Sequence, residues 1–209
     1  MIAVTIAVGD QYQRLAEAAA DSCQRYTGLD VHIIRETPGE SQPARYKLQL
    51  LRLFPGETVL YFDADTRFLR PWGARGLDDF PTFAAVLDMP STARDNDCRR
   101  YGIDPQKYVN SGIWIANGRH AEAFALADQI CHAPDYRTGF RYEQTALNVA
   151  IQRLNVPVVF LDRRYNAICD PACKMPADPV VVHRAGGKPG GDHERIFERM
   201  IRNAQCLST

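Results

Sequence analysis

Apolar positions crowd the start of the chain and then recur in two rhythms. The opening run, residues 2–8 ("IAVTIAV"), is β-rich and stops at Gly9 and Asp10, which predicts a buried first strand. "YQRLAEAAADSCQRYTG" follows with the Ala and Leu content of a helix that closes at Gly28. "DVHIIRE" predicts a second strand, "RYKLQLLRLF" a helix and "ETVLYFDAD" a third strand. This β-α-β-α-β order implies a mostly parallel sheet covered by helices, with ligands outside the carboxyl ends of its strands. Asp10, Asp63 and Asp65 all fall at such ends.

Further on, "TFAAVLD" and "SGIWIAN" read as strands, "HAEAFALADQICH" and "YEQTALNVAIQRL" as helices, and "VPVVFLD" and "PVVVHR" as late strands. Residues 89–109, rich in Asp, Arg and Tyr, read as a long functional loop. There is no internal repeat. Neither a P-loop nor a G-x-G-x-x-G occurs, which argues against an ordinary NTPase or dehydrogenase site.

A length of 209 residues suits one domain with a real core. Lys plus Arg and Asp plus Glu both number 25, so no overall field recruits nucleic acid or an anionic membrane. Residues 137–209 are locally basic, with eleven Lys or Arg against seven Asp or Glu. The first apolar run is too short for a signal core or a span and has no cationic start, so we expect a cytoplasmic protein without integral membrane contact. Six cysteines lack paired spacing and are expected reduced. Cys169 and Cys173 in "CDPAC" could hold zinc only with a second ligand pair, which the spacing does not supply.

The chemistry centres on "LYFDAD". Residues i and i+2 of a strand point to the same side, so the carboxylates of Asp63 and Asp65 would repel each other unless a cation lies between them. A divalent ion with oxygen ligands is the usual partner. An Asp-x-Asp alone is a weak signal, because acidic pairs are common in turns.

Its company strengthens it. "VGDQY", "RYKLQLLRL", "LYFDAD", "YVNSGIWIAN", "YEQTALN", "RYNAI" and "VVVHRAGGKP" follow one another in this order over nearly the whole chain. In that order they resemble the glycosyltransferases of the GT-A fold, most closely family 8 and its small bacterial relatives. The resemblance implies an α/β GT-A fold, Rossmann-like, with a mixed, mostly parallel central sheet and helices on both faces. It implies a single domain over residues 1–209, with 1–66 as the nucleotide-binding half and 67–209 as the sugar and acceptor half.

The resemblance also implies roles for residues. Asp63, Asp65 and His183 would bind Mn2+ or Mg2+, and the ion would bridge the diphosphate of a uridine diphosphate (UDP) sugar. Val8, Asp10 and Tyr12 would meet the base and ribose, and Lys47 and Ala64 the donor. Asn110, Ser111 and Gly112 would line the sugar pocket. Gly186, Gly187 and Lys188 would approach the phosphates. Relatives place their lysine one residue further from the histidine and follow Lys-Pro with Trp, whereas this chain has "HRAGGKPG". "YEQTALN" matches the relatives' "DQDALN" with Glu143 and Thr145 replacing the two acids. Glu143 would contact sugar hydroxyls, with Gln144 near the anomeric carbon stabilising an oxocarbenium-like state.

The expected activity is therefore a retaining hexosyltransferase moving sugar from UDP to a hydroxyl acceptor on a glycan or protein. Transfer to hydroxylated bases of viral DNA is a second reading, one that needs a basic groove. A catalytically silent binding module of the same fold is a third. A nucleotidyltransferase is disfavoured, because no Gly-rich, basic loop follows the first strand.

Overall fold

The computed structural model describes residues 1–72, 82–138, 142–185 and 191–206. The first strand, β1 (Ile2–Ile6), leads through Gly9 into α1 (Asp10–Thr27), and β2 (Val31–Ile34) follows. Gly9 makes the turn at φ 90°, a conformation that disfavours any residue with a Cβ. After β3 (Val59–Phe62) and β4 (Thr66–Phe68) come β5 (Phe83–Leu87), β6 (Val109–Ala116) and β7 (Val158–Leu161), with the short β8 (Ala167–Ile168) and β9 (Val181–His183) last.

Six strands form the central sheet in the order β2-β1-β3-β6-β5-β7. Only β6 runs antiparallel to its neighbours; the other pairings are parallel. The small sheet β4-β9-β8 stands beside it.

Alternation along the strands builds two cores. Val4, Val59, Tyr61, Phe83 and Trp114 face one side, where they pack on α5 (Ala121–His132) and α6 (Tyr142–Arg153). Ala3, Leu60, Phe62, Ala84 and Ile115 face the other, against Ala19 and Cys23 of α1 and Phe68 of β4. Helices therefore cover both faces, as expected. Trp72 is buried against Phe68 and Tyr165, so it is a core residue.

Two expectations need correction. "RYKLQLLRLF" is not one helix but α2 (Pro43–Tyr46), a 3-10 turn (Lys47–Gln49) and α3 (Leu50–Leu53). Tyr46, Lys47, Leu48, Leu50 and Leu51 are all buried, and a regular helix cannot turn such closely spaced residues toward one face. Residues 89–109 are not a loop throughout: α4 (Thr92–Tyr101) occupies their middle. Its polar sequence carries almost no apolar period, and the signal lies in its caps, the Ser91 hydroxyl accepting from the Arg94 N–H at 3.2 Å and Gly102 at the end.

α6 is fastened to β6 by Asn148, whose side chain accepts from the Val109 N–H (2.7 Å) and donates to the carbonyls of Val109 (2.9 Å) and Gln144 (2.8 Å). Replacing it with Ala leaves buried backbone groups unpaired, so Asn148→Ala should destabilise the fold by about 2–4 kcal/mol. Urea denaturation measures this, with a lowered midpoint as the expected result.

Candidate active site

The last rung of the central ladder sets the site. The Asp63 N–H donates to the Gly112 carbonyl at 2.8 Å, so the end of β3 lies beside the start of β6. Tyr61 and Asp63 share a strand face, and the Tyr61 hydroxyl donates to Asp63 Oδ1 at 2.6 Å. The chain then turns, with the Thr66 hydroxyl and N–H both donating to the Asp63 carbonyl, and enters β4. β9 pairs antiparallel with β4, Thr66 opposite His183. That register brings a histidine from late in the sequence next to the early aspartates.

His183 Nε2 lies 3.2 Å from Asp65 Oδ1 and 3.6 Å from Asp63 Oδ2. One ligand atom from each of Asp63, Asp65 and His183 falls within 4.8 Å of the others. Among the described residues this is the one such cluster of three, and Cys169 and Cys173 belong to none. Burial pushes the Cys169 thiol up to about 12, consistent with a packed thiol. Burial also lowers the affinity of His183 for a proton, but the Asp65 and Asp63 carboxylates outweigh it and raise its pKa. An unprotonated Nε2 would set its lone pair against two carboxylates, so this geometry requires either a proton or a cation there.

Two carboxylates and an imidazole within ligating reach of one point suit a divalent ion that accepts oxygen and nitrogen. Gly112 makes room for them. A Cβ on it would lie 2.4 Å from His183 Cε1 and 2.9 Å from His183 Nδ1.

Behind the cluster sits Lys47, 3% exposed. Its ammonium is 3.1 Å from Asp63 Oδ1 and 2.9 Å from Glu143 Oε1, and it donates to the Ser111 carbonyl at 3.4 Å. Burial opposes the charge, yet Asp63 and Glu143 hold the pKa well above the ordinary lysine value. Burial, with Asp63 adding to it, keeps the Tyr61 phenol protonated. Asp63 Oδ1 thus has two donors, and Oδ2 is the oxygen turned to His183. Glu143 lies in the first turn of α6.

Ser111 and Gln144 complete this wall. The Ser111 hydroxyl has one proton and lies closer to Glu143 Oε1 (2.9 Å) than to Gln144 Oε1 (3.3 Å), while its N–H donates to Gln144 Oε1 at 3.0 Å. Asn110 is equally engaged. Its amide nitrogen donates to Asp88 (2.9 Å), and its oxygen accepts from the Gly112 N–H and from Asn166, both at 2.8 Å.

These groups open into a cavity of about 880 Å³, within the range of small-molecule sites. Val8, Tyr12, Lys47, Asp63 and Ala64 line it, as do Asn110, Ser111, Gly112, Glu143 and Gln144. Tyr12 is 41% exposed, its ring free to meet a ligand. Asp10, expected with these, is exposed in the first turn of α1 and is not part of the lining. Gly186, Gly187 and Lys188 lie outside the described residues.

Met89, Pro90 and Ser91, at the start of the segment read as functional, join the lining. Sequence reasoning missed Asp88, Asp170, Cys173 and His193, which line it too, and Tyr61, whose readable signal was its i, i+2 relation to Asp63 in a strand.

Neither a protein-family model nor a curated protein matches the chain. Solved structures do match. A glycosyltransferase involved in glycosylation of the major capsid of PBCV-1 is 14% identical with a TM-score of 0.63, covering 95% of this chain and 100% of its own. The galactosyltransferase LgtC, in complex with donor and acceptor sugar analogues, is 19% identical with a TM-score of 0.66, covering 95% of this chain and 94% of its own. Mouse xyloside xylosyltransferase 1 is 11% identical with a TM-score of 0.58, covering 87% of this chain and 96% of its own. At these identities the likeness is one of fold. The chain has the GT-A fold and resembles its glycosyltransferases.

Because the added methyl must push against the His183 ring, Gly112→Ala should weaken the affinity of the Asp63, Asp65 and His183 cluster for a divalent ion by about 10–100-fold while the protein stays folded. Calorimetric titration of Mn2+ alongside a thermal melt reads the two effects separately.

Proposed function

We propose that this protein is a metal-dependent glycosyltransferase that moves a hexose from a UDP-sugar to a hydroxyl acceptor with retention of configuration. One observation carries the reading: Asp63, Asp65 and His183 meet at the wall of a large cavity that Lys47 and Glu143 also line. The glycosyltransferases that share the fold support it. When bound, Mn2+ or Mg2+ would supply positive charge to the donor diphosphate as the glycosidic bond breaks.

The residues divide the remaining work. Tyr12 and Val8 would receive the base, with Tyr12 stacking on it. Lys47 keeps Asp63 oriented, and its charge also faces the sugar side through Glu143. Glu143 is held by an ammonium and a hydroxyl on the same oxygen. Those bonds reduce its nucleophilicity and favour an electrostatic role toward the positive charge at the anomeric carbon. Gln144, tied to the Ser111 N–H, would hold that wall in place beside the reacting carbon. The acceptor would enter along the wall of Asp88, Met89, Pro90 and Ser91. A glycan or protein hydroxyl fits a chain with no net charge better than DNA does. Among the described residues no helix is long and apolar enough to cross a membrane.

Calorimetry with UDP and Mn2+, repeated with chelator and with guanosine diphosphate, tests the donor site. Metal-dependent, uridine-selective binding is the expected result, and no binding of either nucleotide by folded protein would reduce the chain to a silent member of the fold. With a matched acceptor, Asp65→Ala should lower sugar transfer by about a hundredfold or more without unfolding the protein. Full activity in that variant would remove the metal assignment.

A further inference from the structure

One charged residue of the polar helix α4 is turned inward. Asp97 and Cys98 are the buried residues of α4, and Asp97 is only 4% exposed. A carboxylate taken out of water is costly unless donors hold it. The donor facing Asp97 is not a cation but the Thr145 hydroxyl of α6, 2.8 Å from Asp97 Oδ2. Neither residue lines the cavity, yet Thr145 directly follows Glu143 and Gln144, which do.

The carboxylate sets the direction of a short relay of hydroxyls. A carboxylate only accepts, so Thr145 gives its single proton to the bond with Asp97. The Tyr108 hydroxyl lies 2.8 Å from Thr145 Oγ1 and is therefore the donor of that pair. Burial raises the pKa of the Tyr108 phenol, which keeps the proton it donates. Thr145 and Tyr108 are both wholly buried. Asp97 thus joins α4 to the first turn of α6 and to the residue just before β6, the two segments that supply Glu143, Gln144 and Ser111.

Those segments touch through few atoms. The Ser111 N–H reaches α6 at Gln144 Oε1 (3.0 Å), and the Ser111 hydroxyl reaches Glu143 Oε1 (2.9 Å). Lys47 grips Glu143 from the cavity side. Residues two apart on a helix lie about 200° around its axis, so Thr145 holds the side of the turn opposite Glu143.

We infer that Asp97 is a positioning residue: through Thr145 and Tyr108 it fixes the first turn of α6 against β6, so that Gln144 and Glu143 stay joined to Ser111 along the wall proposed to meet the sugar. Ser91, the N-cap of α4, does line the cavity, so this one helix connects the proposed acceptor wall to the turn that carries Gln144. The inference deepens the transferase reading and rests on it only for the effect on the donor, because the anchoring belongs to the free protein.

Amide hydrogen exchange of the whole, ligand-free chain reads the anchoring at the Ser111 N–H. The Ile115 N–H of the same strand, in the sheet between Leu60 and Ala84, is the reference. Asp97→Ala should speed Ser111 exchange about tenfold beyond any change at Ile115, because the link opens locally. Reversing the pair, with Asp97→Thr and Thr145→Asp in one chain, keeps a carboxylate and a hydroxyl there and should restore slow exchange. In titrations with Mn2+ present, Asp97→Ala should bind the tighter of UDP-glucose and UDP-galactose about tenfold more weakly and UDP alone as the wild type does. A folded Asp97→Ala with unchanged Ser111 exchange would overturn the inference. So would acceleration of Ser111 and Ile115 by one factor, the mark of a general loss of stability, or equal weakening of UDP and UDP-sugar. Should Asp97→Ala fail to fold, Thr145→Val cuts the same link from α6 with little change of shape and is read in the same way. Wild-type protein that binds no nucleotide, with Ser111 exchange still dependent on Asp97, would overturn the transferase reading and leave the role of Asp97 supported.

Discussion

Three carboxylates, those of Asp63, Asp65 and Glu143, converge on one cavity, and the arrangement is possible only because positive charge is built in among them. Lys47 supplies part of it, with its ammonium within 3.1 Å of two of the three. Removing such a charge from water is costly, and only close, well-directed partners offset that cost. The break of "RYKLQLLRLF" into two short helices and a 3-10 turn is the local price of placing Lys47 there. Arg184, 4.0 Å from Asp65 Oδ2, adds to it, and His183 does so when protonated or gives its place to a cation.

The fold serves this convergence by delivering residues from distant parts of the sequence to one edge. β3 brings Asp63, the β4–β9 pairing brings His183, and the first turn of α6 brings Glu143 and Gln144. Fastenings between elements then fix the delivery, with Asn148 joining α6 to β6 and Ser111 joining β6 to Glu143. The side chains at the edge are consequently tied to one another by hydrogen bonds and ion pairs, the arrangement in which fixed charges act most strongly on a reacting centre.

Much of this was legible in the sequence, and for a physical reason. Apolar runs such as "IAVTIAV" and "VLYF" record strands buried on both faces, and the polar residues that stop them record strand ends. Asp63, Asp65 and His183 could be grouped through the order of motifs. Asn166 and Asp88 could not, because they act through hydrogen bonds across 17 to 56 residues and leave no period in the chain. α4 was hidden for a related reason: its residues are held by caps and a few buried contacts, with no apolar stripe to announce them. Asp10 stands apart from these, exposed in the first turn of α1 and outside the cavity lining.

The reversal of β6 has a consequence for how this architecture could diversify. In an all-parallel sheet every strand would arrive at the cavity with its final residues, and new recognition elements would be grafted after strands. β6 instead begins at the cavity, with Asn110, Ser111 and Gly112, and carries Ala116 and Asn117 away from it. The segment that precedes β6, from α4 through the 3-10 turn Pro105–Lys107, is therefore the one whose lengthening would remodel the cavity mouth. An insertion after Ala116 would emerge at the opposite end of the sheet and leave the chemistry untouched.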